Sequence, residues 1–241
     1  MMDLRCVAYA VGGDRIGVLP DALQFTVTVP RNDTPTISLT YPERGGVRGN
    51  LLDGEIEIAV EATFNDGVDW QEVPGCRFIS QEASRDLASD GTTSRSLQAV
   101  HISAVLGEAL VWDVPKDHQD KEGKFKFKRT TAGTMVRTLW DRAVRRGWGR
   151  GLTAGFTPEK DSAPADWNTT AALAFAADVS LDQVLETVTN LGMCDVAWEG
   201  RTMRLYNADT VLARDRTSAV KWLLTPTITG APETTRWADM C

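Results

Sequence analysis

The sequence predicts an α+β protein in which a mainly-β unit comes first and a small α+β unit follows. Three observations support this. Apolar and polar residues alternate with period two through the first hundred residues, the pattern changes to helical stripes after residue 130, and the intervening segment is strongly basic. The chain has 241 residues, which is enough for one large or two small cores.

The strands of the first unit are predicted from alternating runs that end at turn residues. The run 24–29 stops at Pro30, and the run 36–41 stops at Pro42. The longest candidate, 55–64, lies between the turn pairs Asp53-Gly54 and Asp66-Gly67. Two more strands are predicted over 76–80 and 94–103. Turn signals at this spacing indicate a sandwich or a barrel.

The second unit begins after a short apolar stretch over 104–112, which predicts one or two helical turns, and a polar boundary loop over 113–122. Phe125 and Phe127 alternate with lysines and predict a short strand. Thr130 or Thr131 then caps a helix that ends at Gly147. Its apolar stripe consists of Met135, Val136, Leu139, Trp140, Ala143 and Val144.

A loop rich in Gly, Pro, Asp and Ser is predicted over 149–170. Ser180 and Gln183 form a capping-box pattern that begins a second helix, and Gly192 ends it. Its apolar face consists of Leu181, Val184, Leu185, Val188 and Leu191. A hairpin over 195–198 and 201–206 follows, and a last strand is predicted over 219–229, interrupted at Pro226.

Charge is unevenly distributed. The segment 121–150 contains ten basic and two acidic residues and carries a net charge of +8. Because the whole chain has a net charge of −7, the residues outside this segment carry −15. Such a cluster can attract phosphate or an acidic protein surface. It can also be a solvated helix face, because Arg142, Arg145 and Arg146 fall in the last turns of the first helix and complement its dipole. The sequence leaves both interpretations open.

The sequence predicts no catalytic residue, no cofactor site and no metal site. It has no GxSxG, GxxxxGK[ST] or HExxH motif, and His101 and His118 are 17 positions apart. Cys76 has no neighbouring histidine to activate it. The remaining cysteines are too scattered for zinc or for a disulfide framework, and several aspartates are interpreted as turn residues: Cys6, Cys194 and Cys241, and Asp14, Asp53, Asp66, Asp69, Asp86 and Asp90.

Eight tryptophans are many for this length. Trp112, Trp140 and Trp198 fall on predicted core faces. The others fall in loops or near the ends and favour interfaces within an assembly: Trp70, Trp148, Trp167, Trp222 and Trp237. The N-terminus lacks the apolar stretch of a signal peptide, and no run is long and apolar enough to cross a membrane, so we expect synthesis in a cytoplasm.

Four segments, in this order, resemble the baseplate hub or tail-associated minor tail proteins of long-tailed, siphovirus-like phages, in the style of actinobacteriophages. They are 49–58, then 65–70 with 76–80, then 131–147, and finally 180–191 with 198–205. The resemblance implies a tube-like β-barrel that starts in 1–112, an inserted α+β domain over 113–206, and a return to the barrel over 207–241. A full hub usually carries two barrels, so two expectations stay open: the sequence is part of a longer product, or one-barrel chains assemble differently.

The same resemblance implies a non-enzymatic hub ring at the distal end of the tail tube. The ring would connect the tube to the tail tip and frame the channel for DNA in transit. A homotrimer is expected, with a hexamer as the alternative. The expected neighbours are the distal tail protein, the tape measure protein and other tail-tip proteins, without membrane insertion. Two other functions stay open: a tail-carried cell-wall hydrolase and a module that binds host carbohydrate.

Overall fold

A computed structural model describes residues 3–19, 22, 24–28, 34–42, 54–64, 67–87, 93–112, 114–149 and 151–211. The predicted α+β class is confirmed, because a large antiparallel sheet is followed by a unit of helices and short strands. Among these residues, no helix has the length and apolar character that crossing a membrane requires. The predicted strand over 219–229 lies outside the described residues.

Seven antiparallel strands form the first sheet, in the order β2-β1-β5-β6-β7-β4-β3. All five strands predicted for this part of the sequence are present, but β1 and β2 were not singled out by the alternation. The strands are β1 (Asp3–Ala10), β2 (Arg15–Val18), β3 (Gln24–Thr28), β4 (Thr36–Pro42), β5 (Ile56–Thr63), β6 (Gln71–Leu87) and β7 (Thr93–His101).

The short connection between the two edges of the sheet indicates that the sheet is curled. β2 and β3 are the two edge strands, yet only six residue steps separate Val18 from Gln24. Seven flat strands would place the two edges about 29 Å apart. Six extended steps span at most about 21 Å. The short connection therefore requires curvature.

One apolar core fills the concave side of the curled sheet. It contains alternate residues of five strands and of the segment after β2: Cys6, Ala8, Leu19, Ile37, Leu39, Tyr41, Ile56, Ile58, Val60, Cys76, Phe78, Leu97 and Ala99. The predicted tube-like barrel is nevertheless not closed. Within the described residues no ladder joins β2 to β3, so the structure shows an open, curled sheet in place of a barrel.

The α+β unit follows β7 and has its own core. A 3-10 helix over Ile102–Glu108 takes the place of the predicted helical turns at 104–112, and a second covers Lys116–His118. The other elements are β8 (Phe125–Thr131), α1 (Ala132–Arg145), β9 (Thr153–Ala154), β10 (Thr170–Phe175), α2 (Leu181–Asn190), β11 (Cys194–Glu199) and β12 (Thr202–Asn207). β10 pairs with β8, and β12 lies between β11 and β9. The sequence prediction missed β9 and β10.

Both predicted helices form where their caps indicate. Thr131 Oγ1 accepts a hydrogen bond from the backbone N–H of Thr134 at 3.2 Å, which fixes the start of α1. The backbone N–H of Ser180 donates to Gln183 Oε1 at 3.1 Å at the start of α2. Val144 and Leu191 were placed on the apolar stripes but are exposed, because each lies at the C-terminal end of its helix, beyond the packed face.

The tryptophan predictions are partly wrong. Trp140 and Trp198 are buried as expected, but Trp112 is 60% exposed. Trp148 and Trp167 were interpreted as loop side chains for an interface. Instead they pack against the core of the α+β unit, and Trp148 meets Trp140 edge-on at a centroid distance of 5.0 Å. The predictions for Trp222 and Trp237 concern residues outside the described part of the chain.

The loop before β10 is held by one buried carboxylate. Asp161 Oδ1 accepts hydrogen bonds from the backbone N–H groups of Ala163 (2.8 Å) and Ala165 (2.9 Å). Its Oδ2 accepts two more from the backbone and the side chain of Asn207, at 3.1 and 3.0 Å. This bonding satisfies the buried charge and attaches the loop to the end of β12.

We predict that Gly133→Ala destabilises the protein, although alanine is the better helix former by about 1 kcal/mol. A Cβ atom at Gly133 would lie 2.2 Å from Nε1 of Trp167, whose indole N–H donates to the carbonyl of Thr157. Displacing this half-buried ring should cost about 1–3 kcal/mol in the free energy of unfolding, measured with urea.

Gly107→Ala is the matched control. Its Cβ would meet only Asp182 Oδ2 at 3.6 Å, so little change is expected. A Gly133→Ala variant that is as stable as the original chain, or more stable, would contradict the packing described for Trp167.

Candidate functional site

The two histidines do not form a catalytic or metal-binding pair. His101 ends β7 and is buried between Phe78 and Trp198, both in edge-on contact with it. Its Nδ1 accepts a hydrogen bond from the backbone N–H of Ser103 at 3.2 Å, and burial lowers its pKa to about 4, so the ring is neutral near pH 7. His118 lies on the surface, stacked on Phe125. His101 is therefore a structural residue.

The described cysteines are buried in the two cores. Cys6 and Cys76 belong to the core of the curled sheet, and Cys194 belongs to the core of the α+β unit. Burial raises the pKa of both Cys6 and Cys194 to about 12, so their reactive thiolate forms are scarce. Among the described residues no three Cys, His, Asp or Glu side chains are grouped as metal ligands.

The aspartates interpreted as turn residues are only partly described. Asp14 lies in the β1–β2 turn, where its carbonyl accepts from the N–H of Ala10 at 2.8 Å, and Asp69 lies between β5 and β6. The turn interpretation is wrong for Asp86, which belongs to β6 because that strand runs seven residues beyond the predicted end at Ser80. Asp53, Asp66 and Asp90, like Cys241, lie outside the described residues.

A row of charged side chains covers the convex face of β1, β5 and β6. Every second residue of β5 points into the core of the curled sheet, so Glu57 and Glu61 point to the opposite face, where both are nevertheless buried. We call this set the charged row: Arg5, Tyr9, Glu57, Glu61, Glu72 and Arg77. Carboxylates with so little exposure need cationic or hydrogen-bonding partners.

Glu61 obtains its partners from β1. Arg5 Nε donates to its Oε2 at 2.7 Å and Arg5 Nη2 lies 2.6 Å from the same atom, while the Tyr9 hydroxyl is 3.4 Å from Oε1. The guanidinium of Arg5 also lies 4.1 Å from the centroid of the Trp70 ring, a cation–π arrangement. Trp70, predicted as an interface residue, thus covers this end of the charged row.

Arg77 is the central cation of the row. It contacts Glu72 through Nε at 3.0 Å and Nη2 at 2.5 Å, it lies 3.8 Å above the Tyr9 ring, and its Nη1 is 3.5 Å from Glu57 Oε2. Burial lowers the pKa of Arg77, but the hydrogen bond and charge of Glu72, with Tyr9 and Glu57, outweigh burial and raise it overall. The guanidinium remains charged.

Arg201 reaches the charged row from the α+β unit. It stands in the turn between β11 and β12, and its Nη1 donates to Glu57 Oε1, which also accepts from the backbone N–H of Gly12 at 3.4 Å. Glu57 is only 1% exposed, so its charge is balanced by one arginine from each unit. We call the trio Glu57, Arg77 and Arg201 the clamp.

Glycines make room for the Arg201 side chain. A Cβ at Gly13 would lie 2.9 Å from Arg201 Cδ, and one at Gly151 would lie 3.0 Å from Nη2. Both glycines have positive φ, +106° and +73°, so they provide the turns as well as the space. The sequence analysis assigned Arg201 only to a hairpin. The sequence feature that could have indicated this site is the pair of glutamates at 57 and 61 inside a mainly apolar strand.

The second candidate surface is the seam, which we define as the outer edges of β2 and β3, unpaired among the described residues, with four exposed apolar side chains beside them: Leu4, Ile16, Val18 and Phe25. A cavity of about 150 Å³ opens there, lined on one side by β1 and on the other by Phe25 and Tyr41. Unpaired edges next to apolar side chains are the features by which a strand of another chain can bind.

Part of the basic segment has partners inside the α+β unit. Lys124 pairs with Glu122 at 2.6 Å, and Arg137 pairs with Asp141 at 2.9 Å. The guanidinium of Arg142 lies 5.3 Å from the centroid of Phe125. The interpretation as a helix face therefore holds for part of the segment, since Arg137 and Arg142 lie on α1. The exposed cations on β8 form no ion pair of this kind with the residues that the structure describes.

Comparison with known proteins finds a similar structure but no similar sequence. No protein-family model matches the chain, and no curated protein sequence matches it either. The chain is similar in structure to the tail protein from Neisseria meningitidis MC58, with a TM-score of 0.49 and 13% sequence identity. The similarity covers 84% of this chain and 50% of that protein, so the chain spans about half of its length.

We predict that Arg201→Ala strongly destabilises the protein, because it leaves the buried Glu57 carboxylate with too little positive charge. Removing one partner of a buried ion pair typically costs about 3–5 kcal/mol in the free energy of unfolding. Urea unfolding followed by circular dichroism measures the change. The double variant Glu57→Gln/Arg201→Met should recover part of the loss, since it removes the buried charge as well.

Arg204→Ala is the control from the same hairpin. Arg204 pairs with Glu199 at 2.7 Å, but Glu199 is 53% exposed, so the loss should stay below about 1 kcal/mol. Equal losses for Arg201→Ala and Arg204→Ala would show that the clamp does not hold the two units together.

Proposed function

We propose that this chain is a structural protein of a bacteriophage tail and that several copies form the hub ring at the distal end of the tail tube. The single observation that supports an assembly role best is the seam, where two strand edges and four apolar side chains are left uncovered by the part of the chain that the structure describes. The resemblance of the four sequence segments to hub proteins supports the tail as the place of that assembly.

The seam favours a closed ring of copies. β2 and β3 are different edges of one sheet, so a contact between β2 of one copy and β3 of the next is heterologous, and repeating it around an axis gives a cyclic oligomer. Burying the edges and Ile16, Val18 and Phe25 in such contacts removes the exposed surface that would otherwise promote aggregation. Three copies are proposed from the resemblance, and the single curled sheet per chain makes six the alternative.

In the proposed ring, the clamp would hold the α+β unit of each copy against its curled sheet. Because Arg201 inserts into a glycine-lined slot and pairs with Glu57, the α+β unit is attached to the wall formed by β1, β5 and β6. In the proposed hub, the α+β unit would transmit contacts from the distal tail protein, the tape measure protein or other tail-tip proteins to the ring. The proposal assigns the chain no catalytic residue and no cofactor.

The charge of the chain is compatible with a channel that DNA crosses. Outside the basic segment 121–150 the chain carries −15, and an acidic wall repels the phosphates of DNA in transit. The proposed place in the virion is the tail tip, after synthesis in the host cytoplasm. The return of residues 207–241 to complete the barrel stays a prediction, since residues 212–241 lie outside the described part of the chain.

Electron microscopy of purified particles tests the proposal. We expect three-fold or six-fold density for this chain around the tube axis, with the seam of each copy facing its neighbour. In the isolated protein, Ile16→Lys/Val18→Lys should reduce oligomers detected by analytical ultracentrifugation, because it places two positive charges beside β2.

Leu87→Lys/Val144→Lys serves as the control, since both side chains are exposed and apolar but lie outside the seam. Detection of the chain as a lone monomer on a peripheral fibre, or its absence from virions, would refute the proposal. Oligomers that respond equally to the seam variant and to the control would exclude the seam as the interface.

A further inference from the structure

Strand β8 has one open edge. β10 pairs with β8 along one side, from Thr131 to Phe125. On the other side, the described residues form only one isolated bridge, between Gln119 and Phe125. The backbone from Lys126 to the end of β8 therefore has no second strand partner in the described part of the chain, which is the condition for adding a further strand. The Lys128 carbonyl already accepts a hydrogen bond from Thr130 Oγ1 at 3.0 Å.

A groove of about 490 Å³ runs along this part of β8. Lys126, Lys128 and Thr130 line it from the strand, Thr134 and Thr138 line it from α1, and His118 lines it from the second 3-10 helix. Asp117, the one carboxylate in the lining, is 3.6 Å from His118 Nε2. The groove is thus open, and its charged side chains are predominantly basic, while Phe125 and Phe127 add apolar surface to the lining.

The lysines follow the period of a strand. Phe125 and Phe127 point into the core and stack on each other at a centroid distance of 4.8 Å, so Lys126 and Lys128 point outward. Their Cα atoms are about 6.6 Å apart along the strand, the spacing at which a neighbouring strand presents its own alternate side chains. A carboxylate at every second residue of that neighbour would face these two ammonium groups.

The cations on this strand are only partly balanced within the described residues. The pKa of Asp120 is lowered by hydrogen bonds from the backbone N–H groups of Lys124 and Glu122 and by the positive charges of Lys124 and Lys126. Lys126, Lys128 and Arg129 are exposed, and none of them lies at ion-pair distance from a described carboxylate, in contrast to Lys124 and Arg137. The register of β8 and β10 also shifts at Lys128 and Arg129, and Arg129 has a φ of +44°, which is costly for a residue with a Cβ. Such a bulge redirects side chains, here a third cation next to the two lysines.

We propose that the open edge of β8 binds an acidic extended segment of a different protein, which adds a third strand to the β8–β10 sheet. Backbone hydrogen bonds to β8 provide the affinity, and carboxylates opposite Lys126 and Lys128 provide the selectivity. This binding mode is independent of the proposed ring, because the groove does not include the seam.

A polypeptide fits these observations better than a nucleic acid does. The unpaired backbone edge offers hydrogen-bonding groups at the spacing of another strand, whereas phosphates would use the lysines alone. A second copy of this chain is also a poor occupant. Among its described edge strands, β2, β3, β9 and β10 contain no carboxylate. The edge strand β11 contains two, but Glu199 already pairs with Arg204 at 2.7 Å, and Asp195 Oδ2 already accepts from the backbone N–H of Asp209 at 3.0 Å. The glutamates at 57 and 61 belong to β5, which is paired on both sides.

Peptide binding measured by fluorescence anisotropy tests the proposal on the full chain. The probe is a labelled peptide of four Thr-Glu repeats, compared with four Thr-Lys repeats and with two backbone N-methylated Thr-Glu peptides, each methylated along one edge only. Binding of the Thr-Glu peptide is expected, and methylation of one edge, but not of the other, should abolish it. Lys126→Glu/Lys128→Glu should weaken binding about tenfold, because two attractive cross-strand pairs become repulsive.

Lys121→Glu/Arg145→Glu is the matched control, because it changes the net charge equally but at exposed positions outside both the groove lining and the seam. Its affinity for the Thr-Glu peptide should stay close to that of the unchanged chain. Three results would each overturn the proposal. They are no binding of the Thr-Glu peptide, equal binding of the unmethylated peptide and both methylated peptides, and stronger binding of a single-stranded oligonucleotide of the same charge.

Discussion

The carboxylate of Glu57 is the constraint on which the arrangement of the two units depends. It is almost fully buried, so its charge has to be balanced by cations held at fixed positions. Arg77 provides one of them from within the sheet, and Arg201 provides the other from the α+β unit. Because the second cation comes from outside the sheet, satisfying Glu57 requires the units to stay together. The apolar contact of Ile79 with the core of the α+β unit strengthens the same junction.

The clamp holds the two units together, whereas the two edges of the curled sheet are not joined to each other by any described ladder. The short connection between β2 and β3 brings the two edges near each other, but no described ladder joins them. The molecule therefore combines a wall that is fixed by the clamp with a seam whose strands β2 and β3 each have only one strand partner among the described residues. Apolar side chains such as Phe25 are exposed at the seam, where a neighbouring chain could cover them. This combination supports an assembly role better than an isolated globular one.

Much of the local structure could be predicted from the sequence, because it depends on neighbours in the chain. Thr131 and Ser180 begin the helices as expected, and the turn at Gly200 forms the predicted hairpin. Features that depend on distant residues could not be predicted. The exposure of Trp112 and the pairing of Glu57 with Arg201, 144 positions away, are examples, and so is the failure of the barrel to close.

Amide hydrogen exchange tests the central claim, that the seam is unpaired in the single chain and becomes paired in the assembly. In the isolated chain, many amides of Arg15–Val18 and Gln24–Thr28 should exchange rapidly, while those of β5, which lies between two strands, should be protected. In assembled particles the amides of β2 and β3 should become protected as well. Rapid exchange of both edge strands in the assembled particle would contradict the account.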